Sequence, residues 1–436
     1  MRINLAAAIP QGIDQPPRRL KRVLVYSHDT FGLGNIRRML EISQHLVESD
    51  PEVSVLIITG SPMLHAFRIP ARIDYVKLPC LARTLQGGYA SKFLDLSLDE
   101  AVRLRASVIR SAVLEFRPDL VLVDKKPFGV RDELADVLEP LSARGGRPRL
   151  VLLLRDILDS PEATARVWRK KRYYDAISTY YDEVLVVGTP DVFDLGAEYA
   201  FPRRAASKIT YCGYISRGRS RLARATVRKE LGVGSSERLV LATAGGGEDG
   251  FALLRTYLET LTVSPGAQRS LVVCGPEMGE PQRAELSQLA RRVPGVVLQA
   301  FTDDMMSLID AADLVVCMGG YNTVCEVLTL GKRAIVVPRV RPVQEQWIRA
   351  QRMAERGLLR ALHPDSLTPQ ALGALVRHEL AAIERSRARP ALNMDGLRNV
   401  AASVHGHLSA ASRPAEFISH RKSALSWQPR QALSAS

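Results

Sequence analysis

Short apolar runs alternate with helical patterns along most of the chain, and this alternation limits the possible folds more than any other feature. The first five runs are Val23–Tyr26, Val53–Ile58, Leu120–Val123, Leu150–Leu154 and Val184–Val187. Because their apolar residues follow one another without polar alternation, they indicate parallel strands covered on both faces. Helical patterns such as Ile36–Val47 and Leu98–Phe116 separate the runs, as right-handed βαβ units require.

The pattern is interrupted once and then begins again. Residues 213–236 are rich in Gly, Ser and Arg, which is typical of a connection between domains. Five further runs follow at Leu239–Thr243, Leu271–Cys274, Val296–Ala300, Leu314–Val316 and Ala334–Val337. A chain of 436 residues is also too long for one compact core. The sequence therefore predicts an α/β protein with two tandem doubly wound Rossmann-like domains that face a cleft.

The predicted domain organisation has five segments. They are a flexible basic N-terminus (1–20), a first Rossmann-like domain (21–215), an interdomain connection (216–236), a second Rossmann-like domain (237–409) and a mobile basic tail (410–436). A last helical pattern over residues 391–409 falls within the second domain. Beyond it, low periodicity and Ser, Ala, Arg, Pro and Gln indicate a tail without a packed core.

Charge and composition restrict the classes of function. The formal net charge is +14, and about half of it lies near the two ends. A basic folded body suits anionic ligands such as nucleotides or lipid headgroups, and no motif for sequence-specific nucleic-acid binding accompanies it. No apolar run reaches the ~18 residues of a membrane span, and the N-terminus is too weakly apolar for a secretory signal. Scattered cysteines without metal-ligand spacing agree with the cytoplasmic location that we expect.

Two glycine-rich turns follow predicted strands. In "YSHDTFGLGNIRR", Gly32 and Gly34 lie between the first strand and a helix; in "TAGGGEDG", Gly245, Gly246 and Gly247 do the same in the second domain. Glycine lets a ligand approach the backbone, and the amides of the following helix favour a phosphate. An ordinary tight turn is the alternative for the first stretch. The second lacks the Gly-Lys-Ser/Thr of a P-loop.

Two later motifs carry polar groups at helix starts. In "CMGGYNTVCEVLTLGKRAIVVP", a glycine turn precedes Asn322 or Thr323, either of which could cap a helix, and Glu326 could accept bonds from ribose hydroxyls. The alternative is a purely structural capping box from Thr323 to Glu326. In "RPVQEQWIRAQRMAERG", Glu345 and Gln346 begin a helix and could bind sugar hydroxyls, or form an ordinary polar first turn.

Together the four motifs resemble the GT-B glycosyltransferases. The chain is most similar to the branch with the N-acetylglucosaminyltransferase of lipid-linked peptidoglycan synthesis, which is glycosyltransferase family 28, and more weakly to the plant galactolipid synthases. Order and spacing match from "QAFTDDM" through "CMGGYNTVCE" to "EQWIRAQRMAERG", about residues 299–357. The resemblance implies a nucleotide-sugar donor, usually a uridine diphosphate sugar, in the second domain and the acceptor in the first.

The resemblance also implies a set of donor-binding residues. Phe301 would lie against the base with Thr302 and Met305 nearby, and Glu326 would hold the ribose. The residues implied at the phosphates are Arg217, Gly245, Gly246, Gly247, Gly320, Tyr321, Asn322 and Thr323. Glu345 and Gln346 would contact the donor sugar. The family has two glutamines or Asp-Gln at that pair, so Glu345 is a departure that bears on the identity of the sugar.

The first glycine turn departs from the family as well, because Asn35 stands where the family usually has histidine. Asparagine cannot take a proton near neutral pH, whereas an inverting transfer needs a base for the acceptor hydroxyl. The candidate bases are Asp29 and His28, and His28 could equally be a packed histidine. Asp124 and Asp156 also end strands and are expected at the acceptor or phosphate loop together with Gly32, Gly34, Asn35 and Arg155.

The structural alternative for each of these aspartates is a carboxylate that caps a turn. Lys125, Lys126 and Arg155 could meet an anionic acceptor or be solvated. The sequence thus predicts a metal-independent glycosyltransferase without a cofactor, which moves a sugar from a UDP-sugar to a hydroxyl acceptor, including a lipid-linked one or a polysaccharide. Basic segments would suit peripheral contact with an anionic membrane. The alternatives are a nucleotide-sugar 2-epimerase of the same fold and an inactive nucleotide-sugar-binding protein.

Overall fold

The computed structural model describes residues 20–28, 34–64, 67–83, 88–142, 147–216, 218, 220–263, 266, 268–385 and 391–410. The elements up to residue 211 are β1 (Lys21–Ser27), α1 (Gly34–Ser49), β2 (Val53–Thr59), β3 (Ile73–Lys77), β4 (Leu81–Arg83), β5 (Tyr89–Ser91), α2 (Leu98–Phe116), β6 (Leu120–Asp124), α3 (Ala135–Ser142), β7 (Arg149–Arg155), α4 (Pro161–Lys170), α5 (Tyr173–Tyr180), β8 (Glu183–Val187), α6 (Leu195–Glu198), α7 (Arg203–Ala206) and β9 (Ile209–Tyr211).

The later elements follow the same alternation of strand and helix. They are α8 (Arg224–Glu230), β10 (Leu239–Thr243), α9 (Phe251–Val263), β11 (Arg269–Val273), α10 (Glu280–Arg291), β12 (Val296–Gln299), α11 (Met305–Ala311), β13 (Leu314–Cys317), α12 (Tyr321–Thr329), β14 (Arg333–Val336), α13 (Glu345–Glu355), β15 (Arg360–Ala361), α14 (Pro369–Ala381) and α15 (Gly396–Ala410).

Two parallel sheets organise the chain, as the sequence predicts. The first has the strand order β3-β2-β1-β6-β7-β8-β9 and the second β12-β11-β10-β13-β14-β15, and every neighbouring pair in both is parallel. The order reverses between β1 and β6 in one sheet and between β10 and β13 in the other. Ligands bind at such reversal points in doubly wound sheets, so the topology locates one candidate site per sheet.

Alternate residues of each central strand enter different cores. In β1, Val23 and Val25 pack on one face of the sheet while Leu24 and Tyr26 pack on the other. Both faces are covered by helices, which explains why these strands have continuous apolar sequences. All five cysteines are also buried.

Two segments refine the predicted domain organisation. The predicted connection contains α8, whose Arg224 and Arg228 both form ion pairs with Asp313 at the start of β13. Helix α15 lies in the predicted second domain, yet it contacts α1 of the first, and His407 lies 2.8 Å from Glu183 at the start of β8. The chain therefore crosses back to the first sheet. The other bounds stay predictions, and most of both predicted tails lies outside the described residues.

Candidate active site

The starts of two helices face each other where the two sheets reverse their order. Helix α1 begins at Gly34 beyond β1, and α12 begins after its N-cap Gly320, beyond β13. The side-chain amide of Asn322 donates to the carbonyl oxygen of Gly34 at 3.3 Å. Because a helix N-terminus carries unpaired amides and partial positive charge, two of them at one place favour an anionic ligand.

Glu326 lies one turn into α12 rather than in a capping box. The helix starts earlier than the sequence predicts, and its N-cap Gly320 has no side-chain cap, so neither Asn322 nor Thr323 caps it. The capping-box alternative is therefore wrong. The Glu326 side chain is 1% exposed, and its carboxylate lies 3.1 Å from the Arg37 guanidinium of α1. A carboxylate expected at the ribose is thus in contact with the opposite domain.

The second-domain glycine loop combines a structural need with an open face. Gly247 has a φ of +102°, and a Cβ there would lie 2.8 Å from the carbonyl oxygen of Cys274. Packing alone therefore requires glycine at this position. Gly245 has a φ of +67°, but a Cβ there would meet no atom within 4 Å, and Gly246 faces the Glu277 carboxylate. The space beside Gly245 is where the loop could admit a ligand.

Of the three predicted base-binding residues, one lines a small cavity. Phe301 is half exposed, the Thr302 hydroxyl accepts from the Asp304 amide at 3.0 Å, and Met305 lines the cavity. The volume is about 130 Å³, and the lining residues are Arg37, Glu41, Gly218, Arg221, Asp303, Asp304, Met305 and Met306. Ligand pockets usually measure about 300–1,000 Å³, so this cavity is too small to hold a whole nucleotide sugar.

Asn35 is held in place by two neighbours. Its amide nitrogen donates to the His28 carbonyl oxygen at 2.6 Å, and its amide oxygen accepts from Arg38 at 3.2 Å. His28 itself is fully buried. Asp29, Gly32 and Arg217 lie outside the described residues. Asn35 therefore orders the start of α1 in this structure.

Asp124 and Asp156 form buried ion pairs, which differs from the expectation that strand-end carboxylates face the cleft. Asp124 lies 2.8 Å from Arg38, and both side chains are at most 2% exposed. Arg349 of α13 binds Asp156 through two hydrogen bonds of 2.7 Å each, and the Tyr214 hydroxyl adds a third at 3.1 Å. Each of these carboxylates is therefore bound to a buried arginine.

Tyr321 packs between the arginines of these two pairs. Its ring centroid lies 5.9 Å from the Arg38 guanidinium and 5.6 Å from that of Arg349. Its hydroxyl donates to the Val187 carbonyl oxygen at the end of β8, at 3.0 Å. The side chain thus joins the two sheets, while the backbone of the same residue begins α12 at the proposed phosphate site.

Glu345 and Gln346, which the resemblance places at the donor sugar, both contact arginines. Glu345 is the first residue of α13, and its carboxylate lies 2.5 Å from Arg155 at the end of β7. The Gln346 side-chain oxygen accepts from the Arg339 amide at 3.0 Å. Burial alone would raise the pKa of Glu345, but the charges of Arg155, Arg349 and Lys125 outweigh it and lower that pKa. Glu345 is therefore a charged counter-ion at this position.

Four arginines of the site, Arg37, Arg38, Arg339 and Arg349, are missing from the prediction. Arg37 and Arg38 directly follow the first glycine turn, and Arg349 lies four residues after Glu345 on the same helix face. Both spacings could have indicated a role.

Among the described residues, no group of three or more His, Cys, Asp or Glu could hold a metal ion, and no helix combines the length and apolar character needed to cross a membrane.

Comparison with known proteins confirms the resemblance. Residues 244–403 match the Glycosyltransferase family 28 C-terminal domain, which includes all of the span 299–357. Over 128 residues the chain is 27% identical to a UDP-N-acetylglucosamine--N-acetylmuramyl-(pentapeptide) pyrophosphoryl-undecaprenol N-acetylglucosamine transferase of Glaesserella parasuis. That match covers 29% of this chain and 35% of the relative. A like-named relative of Alkaliphilus oremlandii is 25% identical over 39% of this chain and 47% of its own length.

Solved structures confirm the GT-B fold over most of the chain. MurG of Acinetobacter baumannii superposes with a TM-score of 0.56 at 16% identity, over 88% of this chain and 99% of that protein. The calicheamicin glycosyltransferase CalG4 gives 0.57 at 15% identity, over 91% and 100%. A protein proposed to be a UDP-N-acetylglucosamine 2-epimerase, from Listeria monocytogenes, gives 0.59 at 14% identity, over 92% and 100%. At such identities the likeness establishes the fold alone.

Proposed function

We propose that this chain, whose residues 244–403 carry the Glycosyltransferase family 28 C-terminal domain, is a glycosyltransferase. In this proposal it transfers a sugar from a UDP-sugar to a hydroxyl acceptor between its two sheets. The curated relatives are matched over less than half of their length. Their names support sugar transfer from a uridine nucleotide, but they do not identify the acceptor of this chain.

One observation carries the proposal: the N-termini of α1 and α12 meet at the reversal points of both sheets, in contact through Asn322 and Gly34. A departing nucleoside diphosphate develops negative charge on its oxygens. Prearranged amides and helix dipoles stabilise such charge because they need no reorganisation during the reaction. The loop with the open face at Gly245 follows β10, the neighbour of β13, and adds backbone groups beyond the same edge of the second sheet.

Glu326 supports a nucleoside beside the proposed diphosphate site. A carboxylate with two oxygens can accept from both hydroxyls of a ribose, and Glu326 is buried next to the start of α12. Its ion pair with Arg37 compensates the buried charge. On binding, the ribose hydroxyls would share the carboxylate, and the Arg37 guanidinium would remain close to the phosphates.

Proton transfer is assigned to the end of β1. Asp124 and Asp156 are each committed to an arginine, so we propose Asp29 as the base, with His28 as the alternative. The acceptor would enter from the first-domain side. A lipid-linked acceptor at the cytoplasmic face of a membrane is the finer form of the proposal, and it rests on the sequence resemblance and the basic segments.

The test of this function is nucleotide binding by the full chain. We expect UDP to raise the melting temperature more than GDP, ADP or dTDP; a ligand at 1,000 times its dissociation constant adds about 4 kcal/mol. Glu326→Gln should weaken UDP binding at least tenfold, whereas the matched control Glu355→Gln, on the exposed side of α13, should not change it. Equal responses to all four nucleotides, or full UDP affinity in Glu326→Gln, would contradict the proposal.

Binding without transfer is a second candidate, favoured by two observations. Asn35 replaces the usual histidine and is fixed by His28 and Arg38, and two of the predicted carboxylates are neutralised in ion pairs. A binding protein would need the nucleotide site but not a base. Tight UDP binding without turnover of any UDP-sugar would support this candidate. Epimerisation at the sugar C2 carbon would support the 2-epimerase alternative.

A further inference from the structure

Three cationic side chains converge beside the proposed sugar position. Lys125 directly follows β6 and Arg155 ends β7; these strands are neighbours, and the Lys125 amide donates to the Leu153 carbonyl oxygen at 2.9 Å. Arg339 approaches from the second domain, on the segment between β14 and α13. Lys125, Arg155 and Arg339 together form what we call the cationic cluster.

Glu345 is the carboxylate that these cations share. It lies 2.5 Å from Arg155 and 3.9 Å from Arg339. Arg339 has a second partner in Asp249, at 2.7 Å. Asp249 is more exposed than Glu345, so solvent screens it more strongly. The buried Glu345 carboxylate therefore faces two arginines directly, and the charge of Lys125 also acts on it.

The cationic cluster also has unused donors. The Nε atoms of Arg155 and Arg339 are buried, and neither has a hydrogen-bond partner among the residues that the structure describes. Burial and the charge of Arg155 lower the pKa of Lys125 to about 7, against the opposing effect of Glu345. Buried polar groups are nearly always hydrogen-bonded, so unsatisfied ones call for an explanation. A bound anionic group would satisfy the donors and the charge together.

We propose, building on the proposed function, that the cationic cluster binds a carboxylate or phosphate group of the substrate next to the sugar being transferred. In this role Glu345 orders the guanidinium groups instead of binding a neutral sugar hydroxyl. Its place at the start of α13, where the resemblance puts the donor sugar, favours the donor as the source of the anion. The donor class is then a UDP-sugar whose sugar carries a carboxylate, a UDP-uronic acid. An anionic acceptor is the other source of the same chemistry.

The experiment measures binding to the full chain by calorimetry with UDP, UDP-glucose, UDP-glucuronate, UDP-galacturonate and, on the UDP-loaded protein, inorganic phosphate. We expect at least one uronate donor to bind at least tenfold tighter than UDP-glucose. Lys125→Met should abolish that difference and leave the affinity for UDP unchanged. Arg155→Lys, which keeps the charge but removes the guanidinium donors, should reduce the difference in part. Lys170→Met, on the exposed side of α4, is the matched control and should preserve it.

The outcomes separate the sources and the two proposals. Equal affinity for uronate and neutral donors, with phosphate binding that Lys125→Met abolishes, assigns the anion to the acceptor. Equal donor affinities without phosphate binding overturn the inference while UDP binding still supports the proposed function. If UDP itself does not bind, the proposed function fails. The anion site is then tested by itself: inorganic phosphate should bind the unloaded protein and should not bind Lys125→Met. Circular dichroism of each variant distinguishes lost binding from lost folding.

Discussion

Arg349 on α13 and Asp156 after β7 form a two-point ion pair between the two sheets, with both side chains 1% exposed. The residues are 193 positions apart in sequence. Burial alone would lower the pKa of Arg349, but the Asp156 carboxylate outweighs it and raises that pKa, so the guanidinium stays charged. Because Tyr214 and Tyr321 contact the same pair, it connects the domain interface to the start of α12.

Removing one partner of this pair should be costly. We expect Asp156→Asn or Arg349→Met to lower the free energy of unfolding by about 3–5 kcal/mol, because the remaining charge is buried without compensation. Urea denaturation followed by tryptophan fluorescence measures the change. The double variant Asp156→Asn/Arg349→Met should lose less than the sum of the single losses. Additive losses would mean that the pair does not act as a unit.

Two glycines of the second-domain loop should respond differently to alanine. Gly247→Ala would place a Cβ 2.8 Å from the Cys274 carbonyl oxygen at a φ of +102°, and should lower the melting temperature by several degrees. Gly245→Ala meets open space, so its cost should be limited to about 1–2 kcal/mol of left-handed strain. Its main effect should be weaker UDP binding. Unchanged UDP affinity in a folded Gly245→Ala variant would exclude the open face as a ligand contact.

Lys125→Met should stabilise the protein in a pH-dependent way. The groups facing Lys125 are Asp124, Lys126, Arg155 and Glu345, and its pKa is lowered to about 7 in the folded protein. Between that pH and the pKa of the unfolded chain, near 10.5, the unfolded state binds more protons, so the wild type gains stability as pH rises. Lys125→Met has no buried ammonium, so it lacks the destabilisation that the charged lysine causes at lower pH. Its melting temperature should exceed that of the wild type most at about pH 6, with the difference shrinking by about pH 9.

If the melting temperatures of Lys125→Met and the wild type differed by the same amount at all pH values, the charge explanation would be contradicted and better apolar packing would be favoured. Lys170→Met serves again as the control, because its exposed ammonium should leave stability nearly unchanged at every pH. A loss of stability in Lys125→Met would show that the cationic cluster contributes to the fold rather than opposing it.

Helix α15 should detach from the first sheet at low pH. Burial would raise the pKa of Glu183, but bonds from His407, Ser403 and Thr210 outweigh it and lower the pKa to about 2. A lowered pKa stabilises the folded state above the unfolded value of 4.5, and this contribution is lost as pH falls towards 2. Hydrogen exchange of residues 396–410 should therefore accelerate relative to β1 between about pH 5 and pH 3. Glu183→Gln should show fast exchange already at neutral pH.

Sequence patterns predict the central strands and one edge strand, β12, but not the edge strands β3, β9 and β15. All ten predicted runs form strands. Most of these strands are covered on both faces and leave a continuous apolar signal, whereas β12 lies at an edge with Val297 exposed. Strand β3 has no such signal, since it lies at a sheet edge and mixes exposed with buried residues. Strand β9, three residues long, and β15, two residues long, are too short for any periodicity.

The sequence predicts the positions of the candidate site better than the partners of its residues. The turns and helix starts that precede Asn322, Glu326 and Glu345 follow from local spacing. Their partners do not, because Arg38 binds an aspartate 86 residues away and Arg155 binds a glutamate of the other domain. In the sequence alone nothing indicates that arginines neutralise Asp124 and Asp156. Contacts at such separations depend on how the sheets pack, which local patterns do not encode.

Turnover of a nucleotide sugar is the decisive test of the proposed transfer. The full chain is incubated with UDP-sugars, neutral and uronate, and ³¹P NMR follows the diphosphate signals while mass spectrometry follows the sugar. We predict release of UDP with transfer of the sugar to an added hydroxyl acceptor or to water, and loss of this activity in Asp29→Asn but not in Glu355→Gln. UDP-sugars that bind and remain unchanged, or that are epimerised without transfer to an acceptor, would contradict the proposed function.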